Sequence, residues 1–451
     1  MHKKQKFDAT QGPVSRHLLR LLTPFWMAIL ALMSAGIVDT IYLGRLSTDA
    51  LATVGFCFPI VFFGSSVSIG LGAGTLSAIS RATGRKDYAE ARALGGSALL
   101  LTLFIVTILS LILFLSKSFL LDKMNISQDI KPYALVYLSY TIPGLVFMGL
   151  AMMSNNVIRA GGEARLPSLI MMSGAVLNII IDPFLIFGIG PFPRMEIEGA
   201  ALATLISNVG AAAFGLFAVF YMRKSVEFVT LTWARIKKMW YVICRVGIPA
   251  IGTNIIMPVS AYIITAIIGH SMGKVEVAAF TVTGRVEMLA IALLYALSAC
   301  IGVVTGQNGG AGLTDRVRET FIFSYKICVG WSIFISILLA VFSRNIPAIF
   351  TTDADVIALA IPYFWIVPIT VAGYGFVFVS AAGLNALGRP KYGLIFTIIR
   401  AFIIMIPAIW LGAQHYGMIG VFVAVAIANV LSGAISIIYT LKRVPMTVHT
   451  D

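Results

Sequence analysis

Charged residues are scarce in this chain. They make up 12% of its 451 residues, whereas about 25% is usual for a soluble protein. A soluble fold needs a charged surface, so this scarcity excludes a large water-exposed domain. Hydrophobic residues make up 59% of the chain, and a membrane helix needs about 20 residues. The composition therefore predicts a polytopic membrane protein with short loops.

Cysteine and histidine are also few, and neither forms a cluster. The four cysteines lie singly in or beside apolar runs, and the five histidines fall in loops, tails or span ends. We interpret the cysteines as small buried apolar residues. The sequence also lacks a glycine-rich phosphate-binding loop. We therefore expect no enzyme, no bound cofactor and no ATP-driven transport by this chain alone.

The net charge of +14 is spread over short basic stretches, with no basic domain. Nucleic acid is therefore not an expected partner. With the N-terminus placed in the cytoplasm, 23 of the 33 Lys and Arg residues fall in cytoplasmic segments and seven fall outside. Positive charge prefers the cytoplasmic side, so the pattern predicts an even number of spans and two cytoplasmic termini. The expected location is the bacterial inner membrane.

Twelve apolar runs are long enough to cross a membrane. Backbone in lipid must satisfy its own hydrogen bonds, so runs of this length must be helices. The predicted fold is therefore an all-α membrane protein with twelve transmembrane helices. The predicted spans lie near residues 17–43, 52–80, 94–116, 132–158, 166–189, 197–222, 241–269, 276–307, 320–343, 357–385, 392–413 and 418–441.

The two halves of the chain resemble each other at a nearly constant spacing. Pro24 and Pro249 are 225 residues apart, and the motif Arg-Ala-Gly-Gly at Arg159 is matched 226 residues later by Asn-Ala-Leu-Gly at Asn385. A repeat of six helices is even, so both copies enter the membrane in the same direction. Transporters use such repeats to rock two bundles about a central cavity. The pattern predicts two pseudo-symmetric six-helix bundles, with an N-lobe over 1–222, a cytoplasmic linker over 223–240 and a C-lobe over 241–451.

Two acidic residues lie inside predicted N-lobe spans. A charge at membrane depth costs a few kcal/mol or more, so each needs a reason. Asp39 lies fifteen residues beyond Pro24, or about 22 Å along a helix, in the outer half of the membrane. Asp182 shares a helix face with Asn178, four residues earlier. These residues predict a site that binds a proton or Na⁺; the alternatives are a cap of the first span near Arg45 and a buried polar helix end at Asp182.

Other polar residues of the N-lobe spans are candidates to support this site. Thr204 and Asn208 are four residues apart and share one face of the sixth span. Tyr137 and Asn155 are eighteen residues apart, which is five full turns, and share one side of the fourth span. Asn178, Thr204 and Tyr137 can hydrogen-bond the acids or offer oxygen atoms to Na⁺ at Asp39 and Asp182. No other metal is expected.

Pro24 is a candidate hinge in the first span. A proline removes a backbone donor and tends to bend a helix, and this span also carries Asp39. We hypothesise that protonation of Asp39 changes its hydrogen bonds and bends the span at or near Pro24. The alternative is a static kink.

Charged residues also occur inside the C-lobe spans. Arg285 and Glu287 are two residues apart and cannot face each other on one helix. Each therefore either finds a partner on another span or is structural. Lys326 and Arg400 lie near enough to span ends to reach the interface, and we expect them to anchor rather than bind. Spans seven and ten contain no acidic residue, so the ionisable machinery is expected in the N-lobe.

These motifs resemble the multidrug and toxic compound extrusion (MATE) family over nearly the whole chain. The resemblance rests on the first span with its proline and Val-Asp-Thr, the end of the fourth span (Asn-Asn-Val-Ile-Arg-Ala-Gly-Gly) and the fifth span (Leu-Asn-Ile-Ile-Ile-Asp-Pro). The chain is most similar to the prokaryotic DinF-type branch, whose N-lobe cation site uses the first-span acid and the fifth-span Asn and Asp. The NorM-type branch also uses acids in spans seven and ten, which this sequence lacks. The resemblance implies a cation-coupling set of Asp39, Asn178 and Asp182, with Tyr137, Asn155 and Thr204 in support.

Membership of this family implies a secondary active exporter that exchanges cationic, lipophilic drugs and dyes for H⁺ or Na⁺ by alternating access. The DinF-type similarity favours H⁺. A lipid-linked sugar flippase of the same superfamily is the main alternative, although only Arg285 and Arg400 could supply the basic cavity of such a protein. A channel is a further alternative. The expected partners are small amphipathic molecules and membrane lipid, and we expect a monomer.

Overall fold

The computed structural model describes residues 8–124, 126–228, 232–351 and 353–447, and these form helices and loops without a strand. The all-α prediction is therefore confirmed. Three parts of the predicted domains lie outside the described residues: 1–7 of the N-lobe, 229–231 of the linker and 448–451 of the C-lobe. The helices are α1 (Val14–Leu46), α2 (Thr48–Gly84), α3 (Tyr88–Lys123), α4 (Lys131–Ala160), α5 (Arg165–Phe187), α6 (Glu196–Phe217), α7 (Trp233–Ser271), α8 (Lys274–Ala290), α9 (Ala292–Gly310), α10 (Thr314–Val341), α11 (Asn345–Ala348), α12 (Ala354–Ile366), α13 (Val371–Ala386), α14 (Pro390–Ile398) and α15 (Ile406–Thr447), with π-helical turns at Ala218–Met222 and Ile399–Met405 and a 3₁₀ turn at Pro368–Thr370.

Ten helical stretches of the described chain are long and apolar enough to cross a membrane, and the bent pair of α8 and α9 makes an eleventh. The last stretch, Pro390–Arg443, has 54 residues, or about 81 Å of helix, which is enough for two crossings. Gly417 breaks it with φ 58° and ψ −144°, a conformation that favours glycine. The predicted spans 392–413 and 418–441 lie on either side of this break, which supports twelve crossings.

The chain divides into two compact units. Unit 1 contains Thr23–Ile251 together with the residues before Ala9, and unit 2 contains Ala9–Leu22 and Gly252–Asp451. The divisions fall beside Pro24 and Pro249, which occupy matching positions in the two copies of the internal repeat. As a result, the first turns of α1 belong to unit 2, and the first half of α7 belongs to unit 1.

In unit 1, α4 packs against α2, α3 and α6, and α5 packs against α6. Helix α1 contacts this bundle at two points along its length. The guanidinium carbon of Arg159 lies 5.1 Å from the ring centroid of Phe25. Tyr42 meets Phe187 edge to face, with 6.0 Å between ring centroids. Asp39 lies between these two contacts, close to the second.

In unit 2, α13 packs against α9, α10 and α15, and α12 packs against α8. The N-terminal segment of the chain is bound to the same unit. The backbone N–H of Ala9 donates to Gln307 Oε1 at 3.2 Å. Arg316 Nη2 donates to the carbonyl oxygens of Ala9 and Gly12 at 2.8 and 2.9 Å. These bonds hold the start of α1 on α9 and α10.

Candidate functional site

Asp39 on α1 and Asp182 on α5 form an acidic pair in unit 1. Asp182 is fully buried and Asp39 is half-buried. The two carboxyl groups are close enough to repel each other. Tyr137 on α4 is buried and lies close to both acids. The structure therefore brings together side chains from three helices that are distant in sequence.

Asn178 orients Asp182 within this group. Its Nδ2 donates a hydrogen bond to Asp182 Oδ1 at 3.1 Å, which confirms that the two residues share a helix face. Asp39 Oδ1 and Asp182 Oδ2 are buried atoms with no hydrogen-bond partner among the described residues. Buried acceptors without a partner are costly. Two such oxygen atoms therefore fit a role in binding a proton or a small cation.

The acidic pair supplies two carboxylate groups as possible ligands of a small cation. Within the described ranges, no group of three or more His, Cys, Asp or Glu residues is placed to hold a metal ion. Two further polar side chains lie near the acids: Tyr137, which has a hydroxyl oxygen, and Asn178, whose amide nitrogen donates to Asp182. A proton needs only one carboxylate oxygen.

The remaining supporting residues are placed differently. Thr204 Oγ1 donates to the carbonyl of Ala200 in its own helix at 3.0 Å, and Asn208 faces Gly144 of α4. Neither hydrogen-bonds to the acidic pair within the part of the chain that the structure describes. Asn155 is buried near the far end of α4, about 27 Å along the helix from Tyr137. It does not belong to the acidic site.

Helix α1 runs from Val14 to Leu46 as one helix that includes Pro24. Proline has no N–H, so the helix lacks one backbone hydrogen bond at this position. The division between the two units also falls beside Pro24. A weakened helix at such a division suits a hinge, and the hinge role of Pro24 stays a prediction.

The expectation that Arg400 reaches the membrane interface is wrong. Its side chain is 9% exposed, it hydrogen-bonds to Asn429, and its guanidinium carbon lies 3.8 Å from the ring centroid of Tyr374. The sequence could have indicated this burial. Arg400 lies ten residues after Pro390, and ten residues of helix extend about 15 Å, which is half the thickness of a hydrocarbon core of about 30 Å. Lys326, by contrast, is exposed.

Glu287 and Arg285 have different surroundings, as their spacing on one helix predicts. Glu287 is half-buried and lies within electrostatic reach of Tyr363 and Arg400. Arg285 is exposed. Unit 2 therefore contains a polar group of its own, which the sequence analysis did not assign to the functional machinery.

The MatE family model matches residues 24–184 and 249–411. The two matches begin at Pro24 and Pro249 and agree with the internal duplication. Together they cover well over half of the chain.

Full-length relatives and structures agree with this match. The chain is 31% identical over 441 residues to an FAD transporter of Shewanella oneidensis, covering 98% of this chain and 97% of that protein. It is 28% identical over 479 residues to the multidrug export protein MepA of Staphylococcus aureus, covering 100% and 99%. The crystal structure of the Vibrio cholerae MATE transporter VcmN in the bent form has a TM-score of 0.90 at 25% identity, covering 96% of this chain and 98% of that chain. The family prediction is confirmed: this chain belongs to the MATE family of multi-pass membrane transporters.

Proposed function

We propose that this protein exports small amphipathic drugs and dyes in exchange for a cation, with H⁺ favoured over Na⁺. The observation that carries the proposal is the pair of Asp39 and Asp182 inside an apolar bundle, where each carboxyl group has one buried oxygen without a hydrogen-bond partner among the described residues. A bound cation satisfies these oxygens. Cation binding and release can therefore change how α1 packs in unit 1.

The coupling follows from the position of the pair. Asp39 lies in the predicted outer half of the membrane, so a cation enters from outside and is released to the cytoplasm. Helix α1 is held at Phe25 and Tyr42, and we propose that it bends near Pro24 as the pair gains or loses its cation. One charge that moves through 100 mV supplies about 2.3 kcal/mol. For exchange with a neutral substrate, that energy sustains a substrate gradient of about 50-fold.

The similarity to MepA supports a range of drugs as substrates. A second candidate substrate is FAD, because the chain is 31% identical to an FAD transporter over nearly the full length of both proteins. The family match favours either exporter over a lipid-linked sugar flippase. We place the protein in the bacterial cytoplasmic membrane as a monomer with both termini inside, in line with the distribution of positive charge.

Transport by purified protein in proteoliposomes tests the proposal. Ethidium and FAD are each supplied with an imposed proton gradient or an imposed Na⁺ gradient. We expect ethidium to move opposite to the proton flux and to stay in place under Na⁺ alone. Movement of FAD without ethidium would select the second substrate. If neither compound moved under either gradient, the proposed exchange would be contradicted.

A further inference from the structure

Arg400 is a buried charged side chain inside unit 2, in the predicted span 392–413. It is nine-tenths buried and lies about 15 Å along the helix from Pro390, which is half the thickness of a hydrocarbon core of about 30 Å. A charge at this depth is costly and is a functional hypothesis by default. Transporters of this general type bind substrates near the bilayer midplane.

The backbone and its neighbours fix the direction of Arg400. The residue lies in the π-helical turn Ile399–Met405, a type of turn that is frequent at functional sites. Its Nη2 and Nε donate to Asn429 Oδ1 at 2.9 and 3.3 Å. Asn429 is held in turn, because its Nδ2 donates to Thr370 Oγ1 at 3.3 Å. The guanidinium plane also packs on the ring of Tyr374.

These contacts leave part of the guanidinium without an acceptor. The group has five N–H donors, and Asn429 accepts from two of its nitrogens. None of the ion pairs in the described ranges includes Arg400. The edge that carries Nη1 therefore has donors to spare. A planar fork of donors matches a carboxylate or a phosphate.

Glu287 supplies a counter-charge without forming an ion pair. It lies within electrostatic reach of Arg400 and close to Tyr363. Glu287 and Tyr295 are half-buried, whereas Arg400 and Tyr363 are buried. The group is thus most deeply buried at Arg400 and Tyr363 and less buried at Glu287 and Tyr295.

Aromatic rings lie beside the same group. Phe378 packs against Tyr374 with 4.4 Å between ring centroids and against Tyr295 with 4.8 Å. Rings of this kind offer faces on which a flat aromatic ligand can stack.

We propose that Arg400 binds the carboxylate or phosphate group of flat aromatic substrates, including zwitterionic ones. The anionic group replaces Glu287 as the counter-charge of Arg400, and the rings of the substrate pack beside Tyr374, Phe378 and Tyr295. A positive group on a zwitterion is attracted by Glu287. This inference rests on the proposed export function and names a substrate class for it. The rival interpretation is that Arg400 only holds helices together through Asn429.

A matched pair of dyes separates the two interpretations. One dye is a xanthene with a free carboxylate, and the other is its methyl ester, which has the same rings and lacks the negative charge. Binding to purified protein in detergent is measured by fluorescence polarisation. The variants are Arg400→Gln, Glu287→Gln and, as the control, Lys326→Gln, which removes a charge from the exposed face of α10.

We expect the Arg400 and Glu287 substitutions to have opposite effects on the binding of the two dyes. Arg400→Gln should weaken binding of the carboxylate dye about tenfold or more, as for loss of a charge-assisted hydrogen bond, and should tighten binding of the ester. Glu287→Gln should do the opposite, because Arg400 then lacks its resident counter-charge. Lys326→Gln should change neither.

A structural role for Arg400 predicts a different outcome. Both dyes would then lose affinity in parallel, and the melting temperature would fall with them; that result overturns the proposal. If Arg400→Gln does not fold, Glu287→Gln still decides the matter, since it keeps Arg400 and should bind the carboxylate dye more tightly. Binding is measured without a gradient, so a failure of cation coupling would leave these opposite effects intact.

Discussion

Gly373 on α13 lies against the backbone of α15 at Asn429. A Cβ atom at Gly373 would lie 2.1 Å from the carbonyl oxygen of Asn429 and 2.6 Å from its carbonyl carbon. Ordinary contact requires more than 3 Å, so Gly373→Ala must move the two helices apart by about 1 Å. Asn429 also holds Arg400, so the substitution should disturb this polar group as well.

The expected effect of Gly373→Ala can be compared with a matched substitution. Overpacking costs about 1–3 kcal/mol, while the higher helix propensity of alanine returns about 1 kcal/mol. The net loss should be up to about 2 kcal/mol. Gly330→Ala in α10 is the control, because nothing lies within 4 Å of its Cβ position and only the propensity gain applies.

Thermal unfolding of the purified variants in detergent measures this difference. Gly373→Ala should melt below the parent protein, and Gly330→Ala should melt at the same temperature or higher. Equal melting temperatures for the two variants would refute the close packing of α13 on α15. A fall in the control alone would refute it equally.

Two further predictions concern the N-terminal segment and α1. Arg316→Gln removes the hydrogen bonds to the carbonyls of Ala9 and Gly12. Limited trypsin digestion should therefore cleave after Arg16 faster than in the parent. Unchanged protection would show that other contacts hold the segment. Pro24→Ala restores a backbone hydrogen bond in α1, so it should slow gradient-driven transport several-fold with dye affinity unchanged; parental transport rates would rule out the hinge.

The sequence was sufficient for the features that depend on local pattern. Apolar runs predicted the helices, since lipid leaves the backbone no other partner. The i, i+4 spacing of Asn178 and Asp182 predicted that they share one helix face, and the structure shows a hydrogen bond between them there. Gly417 lies between the last two predicted spans, and its positive φ marks the break.

Sequence pattern did not predict the features that depend on how each helix is rotated or on how deep a residue lies in the membrane. Arg400 was expected at the interface, and its burial follows from how Asn429 and Tyr374 on other helices face it. Asn155 and Tyr137 share one side of α4, but five turns separate them along the helix, and only Tyr137 lies near the acids. Periodicity gives the face of a helix, whereas a site also requires the right level in the membrane.

Proton release on substrate binding tests whether the pair of Asp39 and Asp182 holds the coupling proton. A pH-sensitive dye reports protons released when substrate is added to purified protein in weakly buffered detergent solution. We expect release from the parent and from Asp49→Asn, an exposed acid at the start of α2, and none from Asp39→Asn, which should still bind the substrate. Parental release from Asp39→Asn would show that Asp39 does not couple the proton to the substrate.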